Sequence, residues 1–404
     1  MHLGHHRASC FQVRTVISGF AFELGEVERT GTCAAPFSVT EILGRRGRGE
    51  DETAGVTCCP RRRGRAEDKM AVTIRDVARQ AGTSTATVSH VLNSTGRITD
   101  KTRRRVLTAI KTLKYHPNLH ARNLALGTSR TLGIIVSDIE NPFFPAVVRA
   151  FEIRAQRRGY DVIASNTNYD PRLMKRAAER MLEQKVRGVA IMTSEMSPKL
   201  VREILERDIA VTFFDSGLPR EHTSTIKMDY RSGIREAVEH LYRFGHRRIA
   251  FVAGRSVFRN IKARQVAYVD SMRGLGLDPG PILAGNQRFD GGLSAGVAIA
   301  RMKPRPTAVI AMNDLTAVGV IKALHQAGLR VPQDASVVGF DRTQLAECFI
   351  PTLTAVDMHA DRLGQTAADA LHDLCTAANG EGREYCMPLK LVVGESTGPV
   401  PEEL

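Results

Sequence analysis

The chain has 404 residues and a mass of 44.3 kDa, more than one ordinary single-core domain holds, so two or three domains are expected. The formal net charge is +14 and 43% of the residues are hydrophobic, which excludes a structureless chain. No apolar run reaches the length of about 18 residues that a membrane span needs. The seven cysteines show no repeated short spacing, which argues against a disulfide framework and favours a reducing compartment.

Most of the positive charge lies in one short part of the sequence. Residues 70–130 carry 11 basic and 2 acidic residues, a net charge of +9, whereas residues 1–69 and 131–404 have net charges of +2 and +3. A basic excess of this density is typical of a nucleic-acid-binding module. A solvated basic face would give the same count, so charge alone leaves both interpretations open.

Residues 1–69 differ from the rest in composition. They contain the basic, glycine-rich runs Gly44–Gly49 and Pro60–Arg65 without a sustained helix or strand period, which is typical of disorder. They also lack the apolar core of a secretory signal. Because Met70 opens a well-patterned domain, we expect residues 1–69 to be a translated leader before the true start; a functional tail with a targeting or RNA-binding role is the alternative. We expect the histidines near the N-terminus to hold no metal.

Residues 70–117 predict three short helices. Thr73, Ser84 and Thr99 are placed to cap them, and the residue three positions after Thr73 is acidic, as in a capping box. Gly82 separates the first two helices by a tight turn, and apolar residues recur at helical spacing in all three. This pattern describes a helix-turn-helix domain, whose second helix enters the major groove of DNA. A plain helical bundle is the alternative.

The same residues carry a family resemblance. Thr73–Asn93, with the sequence TIRDVARQAGTSTATVSHVLN, resembles the DNA-binding headpiece of the lactose/galactose-repressor (LacI/GalR) family, and Tyr115–Leu124 resembles its hinge. The resemblance implies a bacterial transcription regulator. It divides the chain into a headpiece at residues 70–117, a hinge helix and linker at 118–130, an effector-binding domain at 131–397 and a tail at 398–404.

The family's DNA contacts carry over to the second helix, its flanks and the hinge. The residues expected to contact DNA are Thr73, Ser84, Thr85, Ala86, Thr87, Ser89, His90, Asn93, Arg97, Tyr115, Asn118, Ala121, Arg122 and Leu124. Arg103, Arg104 and Arg105 are placed to reach phosphates. The chain departs from the family at His90, where arginine is common, and imidazole cannot form arginine's bidentate contact with guanine. The family's half-site sequence therefore does not carry over, and a packing or phosphate contact is the alternative for His90.

Residues 118–126 are too few to form a stable helix alone, but two copies docked side by side on DNA would order each other. In the family the hinge leucine wedges into the minor groove and kinks the duplex, and Leu124 occupies that position. In a simple linker Leu124 would be an ordinary helix-face residue. The family pattern favours the wedge.

From residue 131 the sequence alternates buried strands with amphipathic helices, which predicts doubly wound parallel sheets and an α/β fold class. The expected strands are Leu132–Val136, Asp161–Ala164, Val189–Met192, Val211–Phe214, Ile249–Val252, Ala308–Met312 and Ser336–Phe340. Their number suits two subdomains. The resemblance implies a two-lobed, periplasmic-binding-protein-like sensor with a ligand between the lobes. Lobe one is expected at about residues 131–229 and 358–390, and lobe two at about 230–357.

Short polar residues follow most of these strands, at the edge where open α/β sheets bind ligands. They are Ser137, Asp138, Asp215, Ser216, Gly254, Arg255, Asn313, Asp314, Asp341 and Arg342. Helix capping explains about half of such positions. It does not explain Arg264, which lies inside a helical stretch and aligns with the family's effector-anchoring arginine. Its guanidinium would reach a ligand or Asp341.

The expected effector-binding residues are Phe143, Asp215, Arg264, Asn313 and Asp341. Phe143, at the family's aromatic edge, would stack on a sugar or base, whereas Phe144 is assigned to the core. Phe258, Asn260 and Phe289 are weaker candidates. Polar groups beside an aromatic ring favour a sugar or sugar derivative, and a purine or nucleoside would use the same groups.

Enzyme signatures are missing from the sequence. It lacks the Gly-x-Gly-x-x-Gly fingerprint after the first strand, a phosphate-binding loop, a Gly-x-Ser-x-Gly elbow and a His-Glu-x-x-His zinc pair. We therefore expect no enzyme, no cofactor and no metal. A periplasmic sugar-binding protein and an enzyme of the same fold are the alternatives, and binding to duplex DNA would separate the regulator from both.

We expect a cytoplasmic bacterial repressor, nucleoid-associated when bound to DNA, with no membrane partner. One headpiece offers too little contact area for tight selectivity, whereas a homodimer doubles it and matches a palindromic operator. The tail after Gly398 has no heptad repeat, so a coiled-coil tetramer is not expected.

Overall fold

The computed structural model describes residues 72–93, 95–115, 129–193, 195–254, 259–377 and 379–402. The leader and the hinge helix expected from the sequence lie outside these ranges. None of the described helices combines the length and the apolar character that crossing a bilayer requires. In chain order the elements are α1 (Ile74–Ala81), α2 (Thr85–Asn93), α3 (Asp100–Leu113), β1 (Thr131–Val136), α4 (Phe143–Arg157), β2 (Asp161–Asn166), α5 (Pro171–Glu183), β3 (Gly188–Met192), α6 (Pro198–Leu205), β4 (Ala210–Phe214), β5 (Thr223–Met228), α7 (Tyr230–Arg243), β6 (Ile249–Ala253), α8 (Arg259–Gly274), β7 (Ile282–Ala284), α9 (Phe289–Arg301), β8 (Ala308–Ala311), α10 (Asp314–Gln326), β9 (Ser336–Asp341), α11 (Gln344–Cys348), β10 (Thr354–Asp357), α12 (Ala360–Thr376), β11 (Glu384–Met387) and β12 (Lys390–Val392).

The three headpiece helices begin directly after the capping residues that the sequence predicts. The carboxylate of Asp76 accepts a hydrogen bond from the backbone N–H of Thr73 at 3.0 Å. The hydroxyls of Ser84 and Thr99 each accept one from the N–H three residues later, at 3.2 and 3.4 Å. Gly82 ends α1 with φ of 58°, a left-handed conformation that glycine adopts without a Cβ penalty. The helices enclose a small core of Val77, Ala78, Ala81, Val88, Val91, Val106 and Ala109.

The rest of the described chain forms two six-stranded sheets, which are the two lobes. Lobe one has the strand order β11-β5-β4-β3-β1-β2, and its neighbouring strands are all parallel. Lobe two has the order β12-β10-β9-β8-β6-β7, in which only β12 is antiparallel. Helices connect most of the consecutive parallel strands, so the α/β fold class with its helical headpiece is confirmed.

The chain passes between the lobes after β5, after β10 and after β11. The last crossing lies close to the expected boundary at about residue 390, since Met387 pairs with Met228 in lobe one and Lys390 pairs with Asp357 in lobe two. The seven expected strands are present, with ends that differ by up to two residues. The five strands without a sequence signal, β5, β7, β10, β11 and β12, are short or rich in polar residues, so they lack the apolar run that marks a buried strand.

Candidate functional site

A cavity of about 390 Å³ lies between the lobes, beyond the carboxyl ends of β1, β3, β4, β8 and β9. This is the edge at which open α/β sheets bind ligands. All five residues expected to bind an effector line it, namely Phe143, Asp215, Arg264, Asn313 and Asp341. Asn260 also lines it, whereas Phe258 lies outside the described residues and Phe289 lies on a different surface. The structure therefore brings the expected set together, and binding of a ligand by it stays a prediction.

Arg264, on α8, has its guanidinium held in a fixed position. Nη1 donates to the backbone carbonyl of Met312 at 2.7 Å, and Nη2 contacts the sulfur of Met358 at 3.4 Å. Its Cζ atom lies 4.5 Å from the ring centroid of Tyr230 and 4.2 Å from that of Phe340, within cation–π range. The side chain is 5% exposed, and its Nε is buried without a hydrogen-bond partner among the described residues. The sequence left a ligand or Asp341 as partners of this guanidinium; its described hydrogen bonds go to Met312 and Met358, and contact with a ligand stays a prediction.

Asp341 is the last residue of β9, and its φ is 96°. A residue other than glycine keeps such a backbone conformation only where surrounding contacts stabilise it. One carboxylate oxygen accepts a hydrogen bond from the Nδ2 of Asn141 at 3.1 Å, which joins the two lobes across the cavity. Burial raises the pKa of Asp341, and the charge of Arg264 and the bond from Asn141 partly oppose that shift. Asp341 is therefore a buried acceptor at the point where the lobes meet.

Asp215, at the end of β4, uses both carboxylate oxygens within the protein. One accepts from the backbone N–H of Met228 at 3.0 Å, and the other accepts from the hydroxyl of Tyr230. Burial raises the pKa of Asp215 to about 6, against these two hydrogen bonds and the charge of Arg264. Because the ring of Tyr230 also lies against Arg264, Asp215 positions the arginine as well as lining the cavity.

Asn313 fulfils the capping role that the sequence left open. Its Oδ1 accepts from the N–H of Thr316 at 2.9 Å, at the start of α10, and its Nδ2 donates to the carbonyl of Gln287 at 2.8 Å. The next residue, Asp314, accepts from the backbone N–H and the hydroxyl of Thr343 at 2.6 and 2.8 Å. Burial and then the neighbouring Asp341 charge raise the pKa of Asp314 to about 8.

The two phenylalanines at the start of α4 have the reverse of the expected exposures. Phe143 is 3% exposed and belongs to the main apolar core, whereas Phe144 is half-buried. Both rings line the cavity, with their centroids 5.3 Å apart and nearly perpendicular planes. The reason is the helix start, where Asn141 Oδ1 accepts from the N–H of Phe143 at 3.0 Å and turns that side chain inward. Phe144 is therefore the more accessible aromatic surface.

Several residues that line the cavity are not among the five expected effector-binding residues. They are Ser137, Asn141, Tyr169, Thr193 and Gln287. Tyr169 and Gln287 come from opposite lobes, and Gln287 Nε2 donates to the Tyr169 hydroxyl at 3.1 Å. Ser137 and Asn141 carried a signal, since both follow β1 in a polar stretch. Tyr169 and Gln287 lie in loops after unremarkable strands, so no local pattern marked them.

Arg288, beside Gln287, forms ion pairs between the lobes. Its Nη1 lies 2.8 Å from the carboxylate of Glu140, and its Nη2 lies 3.2 Å from that of Asp138. Nη2 also donates to the Oδ1 of Asn168 at 2.5 Å. Asp138, Glu140 and Asn168 belong to lobe one, while Arg288 is the N-cap of α9 in lobe two. We call these contacts the Arg288 clasp.

The second headpiece helix exposes a polar face. Thr85, Ala86 and His90 are exposed, and Thr87 and Ser89 are half-buried. The His90 Nδ1 lies 3.0 Å from the hydroxyl of Thr95, so Nε2 is the ring atom left for a base or phosphate. The Thr87 hydroxyl lies 2.9 Å from that of Ser84. This face has the size and polarity of a helix that reads DNA.

The remaining expected DNA contacts fall into three groups. Thr73 and Arg97 are exposed, and Tyr115 is half-buried against the headpiece core. Arg105 is exposed and its Nη2 donates to the carbonyls of Ala81 and Gly82 at 2.6 and 3.2 Å, which completes the end of α1, while a phosphate contact by its other N–H groups stays a prediction. The structure does not describe the side chain of Asn93, and Asn118, Ala121, Arg122 and Leu124 lie outside the described residues.

Comparison with known proteins matches both parts of the chain. Residues 73–118 match the bacterial regulatory proteins of the lacI family, and residues 238–397 match the periplasmic binding protein-like domain. The transcriptional repressor PurR of Photobacterium profundum is 33% identical over 328 residues, which is 80% of this chain and 98% of PurR.

Two solved structures extend the similarity to the fold. The Lac repressor dimer bound to operator and the anti-inducer ONPF has a TM-score of 0.72 and 29% identity, covering 81% of this chain and 99% of the repressor chain. The complex of the transcriptional regulator CelR with cellobiose has a TM-score of 0.60 and 27% identity, covering 80% of this chain and 99% of CelR.

Proposed function

The chain belongs to the lacI family of bacterial regulatory proteins, as a DNA-binding transcriptional repressor and not an enzyme, and we propose that it binds a palindromic operator as a homodimer under the control of a small effector. The observation that carries this proposal is the cavity between the lobes, in which Asn141 and Asp341 meet from opposite sides. A ligand there touches both lobes at once. It therefore stabilises one relative orientation of the lobes over others.

We assign recognition of the operator sequence to the exposed face of α2 together with the hinge. Thr85, Ala86, Ser89 and His90 would contact base edges, while Arg97 would contact phosphates. Leu124 would enter the minor groove. The phosphate contacts would make binding steeply salt-dependent, with a slope of about −0.9 in log–log form for each neutralised phosphate. The repressor would act in the cytoplasm, where its DNA is.

The homodimer is supported by an apolar groove of about 550 Å³ on lobe two. Ile350 is 94% exposed and Phe289 is 41% exposed, beside Val318, Ile321, Leu329 and Phe349. Large exposed apolar side chains in one patch mark an association surface. We assign a second copy of this chain to it, because a two-fold dimer presents two headpieces to the two halves of a palindrome. The structurally similar Lac repressor is itself a dimer on operator DNA.

The effector is assigned to a sugar or sugar derivative. The cavity combines short polar side chains with the aromatic surface of Phe144, and its volume suits a monosaccharide or a disaccharide. CelR, of similar fold, holds cellobiose. The lobe orientation that the effector stabilises would set the spacing of the two hinges and so their ability to order on DNA. Operator and effector must then change each other's affinity by the same factor.

The proposal is tested by selecting sites from randomised duplex DNA with the full chain over a series of salt concentrations. We expect a palindromic site to be enriched, with affinity falling steeply as salt rises. Two matched variants test whether enrichment of the site depends on the exposed face of α2. Ala86→Glu places a charge on the exposed face and should abolish enrichment, whereas Ala298→Glu places it at an exposed position of α9 in lobe two and should not. Salt-sensitive binding without an enriched site would contradict sequence-specific reading by α2.

A further inference from the structure

We propose that Thr95 is a positioning residue for operator recognition: its hydroxyl holds the His90 ring at Nδ1, so that Nε2 presents one N–H group to a guanine in the major groove. This inference rests on the proposed function, since it deepens the assignment of operator recognition to α2. Three observations carry it: the place of His90 on α2, the hydrogen bond between Thr95 and the ring, and the close packing of Gly96.

His90 lies on the face of α2 that we assign to base contacts. It follows Ala86 by four residues, so the two side chains lie on the same side of the helix. The imidazole is exposed. An arginine at this place would offer five N–H groups, whereas a neutral imidazole has one donor and one acceptor. Recognition by His90 therefore depends on where each ring nitrogen lies.

The loop after α2 fixes the rotation of this ring. The Thr95 hydroxyl lies 3.0 Å from Nδ1 of His90, and the Thr95 backbone N–H donates to the His90 carbonyl at 3.0 Å. A half turn about χ2 would put the carbon Cδ2 against the hydroxyl and lose the side-chain bond. It would also replace Nε2 by the carbon Cε1. Because one net hydrogen bond changes a population about fivefold, Thr95 favours one ring orientation before DNA is bound.

Gly96 restricts the ring from a second direction. Its φ is 76°, in the left-handed region that glycine adopts without a Cβ penalty. A Cβ atom at this position would lie 3.2 Å from Nδ1 and 3.4 Å from Cγ of His90, closer than an ordinary van der Waals contact. The glycine therefore brings the backbone against the ring without displacing it. Thr95 and Gly96 together keep His90 in the observed orientation.

The Thr95 hydroxyl also determines what Nε2 offers to a base. When the hydroxyl donates to Nδ1, the neutral ring carries its proton on Nε2. When both nitrogens are protonated, Nδ1 donates to the hydroxyl oxygen and Nε2 again carries an N–H group. Nε2 is therefore a donor in both arrangements. A neutral ring with its proton on Nδ1 would instead accept from the amino group of cytosine or adenine, and the choice of base distinguishes this case.

A single N–H donor matches guanine better than the other bases. The major-groove edge of guanine carries the acceptors N7 and O6 and no donor. Adenine places an amino donor beside N7, cytosine offers an amino donor, and thymine places a methyl group beside O4. We therefore expect guanine at the operator position that His90 faces.

The test uses the full chain and selection from randomised duplex DNA. His90→Ala first identifies the operator position that His90 reads, as the one whose base preference is lost. Thr95→Val keeps the shape of the side chain without its hydroxyl, so it should reduce the preference for guanine over adenine at that position about fivefold. Thr95→Ser keeps the hydroxyl and should retain the preference. Thr112→Val, at an exposed threonine of α3, is the matched control and should leave it unchanged.

Affinity for random duplex DNA is measured beside this preference and should stay within about twofold for every variant, because phosphate contacts do not depend on the ring. A Thr95→Val variant that keeps the preference, or that loses affinity for all sequences alike, would overturn the positioning role. A preference for another base at this position, or none that His90→Ala removes, would overturn the assignment of Nε2 to guanine. If the wild-type chain enriches no site, the proposed function itself fails, and the inference with it.

Discussion

Arg288 in lobe two and Asp138 in lobe one form an ion pair between the lobes, with Nη2 and Oδ2 3.2 Å apart. The Asp138 side chain is 3% exposed, so Arg288 supplies a positive charge to a carboxylate that water hardly reaches. Glu140 and Asn168 share the same guanidinium. The clasp thus joins the lobes next to the residues that line the cavity. Substitutions in the clasp can therefore change the relative stability of the lobe orientations without altering the cavity itself.

Replacing Arg288 by Gln should favour separation of the lobes. The change removes ion pairs worth about 1 kcal/mol together, so the population of separated lobes should rise about fivefold. Hydrogen–deuterium exchange is the measurement, and we expect faster exchange in peptides that cover residues 138–141 and 167–170. Arg243→Gln, whose guanidinium pairs within its own helix, is the control. Unchanged exchange in both variants would show that the clasp does not hold the lobes.

Replacing Arg264 by Ala should abolish the effector response and leave operator binding within about threefold of the original. The arginine lines the cavity but belongs to α8, in a lobe that does not carry the headpiece. Operator affinity is measured with and without a small-molecule extract that changes the operator affinity of the wild-type chain. Arg273→Ala, at the exposed end of the same helix, should keep the response. If Arg264→Ala keeps it too, the effector site lies elsewhere.

Replacing Leu124 by Ala should weaken binding to the selected operator about tenfold or more while changing non-specific binding little. A leucine wedge is useful only where the duplex is kinked at a defined step, whereas phosphate contacts act on any sequence. Competition between operator and random DNA measures the ratio. Leu107→Ala, half-exposed on α3, serves as the control. Equal losses on both DNAs would refute the wedge.

If the proposed homodimer forms through the apolar groove, replacing Ile350 by Asp should convert it into a monomer, because a charge in an apolar interface loses its hydration without a partner. Sedimentation equilibrium should show about half the mass, with a dissociation constant raised more than about 100-fold. Leu218→Asp introduces the same charge at an exposed leucine of lobe one and should leave the dimer intact. A dimeric Ile350→Asp variant would place the interface on another surface.

Replacing Asp314 by Asn should flatten the pH dependence of stability. Burial raises the folded-state pKa of Asp314 to about 8, so the folded chain retains this proton where the unfolded chain has lost it. In the wild-type chain, the contribution of Asp314 to the free energy of unfolding therefore falls as pH rises from about 4 to about 8. We expect the variant to gain in melting temperature relative to wild type at the upper end of that range.

Thermal unfolding at a series of pH values measures this difference. Asp278→Asn removes an exposed carboxylate between α8 and β7, so it reports what a change of net charge does by itself. A constant offset between wild type and Asp314→Asn at every pH would mean that Asp314 is ionised in the folded state throughout.

The sequence by itself determined the local elements and the family. Caps at Thr73, Ser84 and Thr99 and a left-handed glycine at Gly82 depend on neighbours within three or four residues. Buried parallel strands depend on short apolar runs. Both signals act over a few residues, so reading along the chain detects them. The headpiece pattern was specific enough to indicate the family before any fold was known.

Only the tertiary structure decided which groups those elements bring together. The hydrogen bond from Asn141 to Asp341 joins residues 200 positions apart, and that from Arg288 to Asn168 joins residues 120 apart. The rotation of Phe143 into the core and the pairing of Arg264 with Met312 also depend on neighbouring elements. Such contacts arise when two folded lobes close on each other. Their geometry depends on packing between surfaces, for which local periodicity carries no signal.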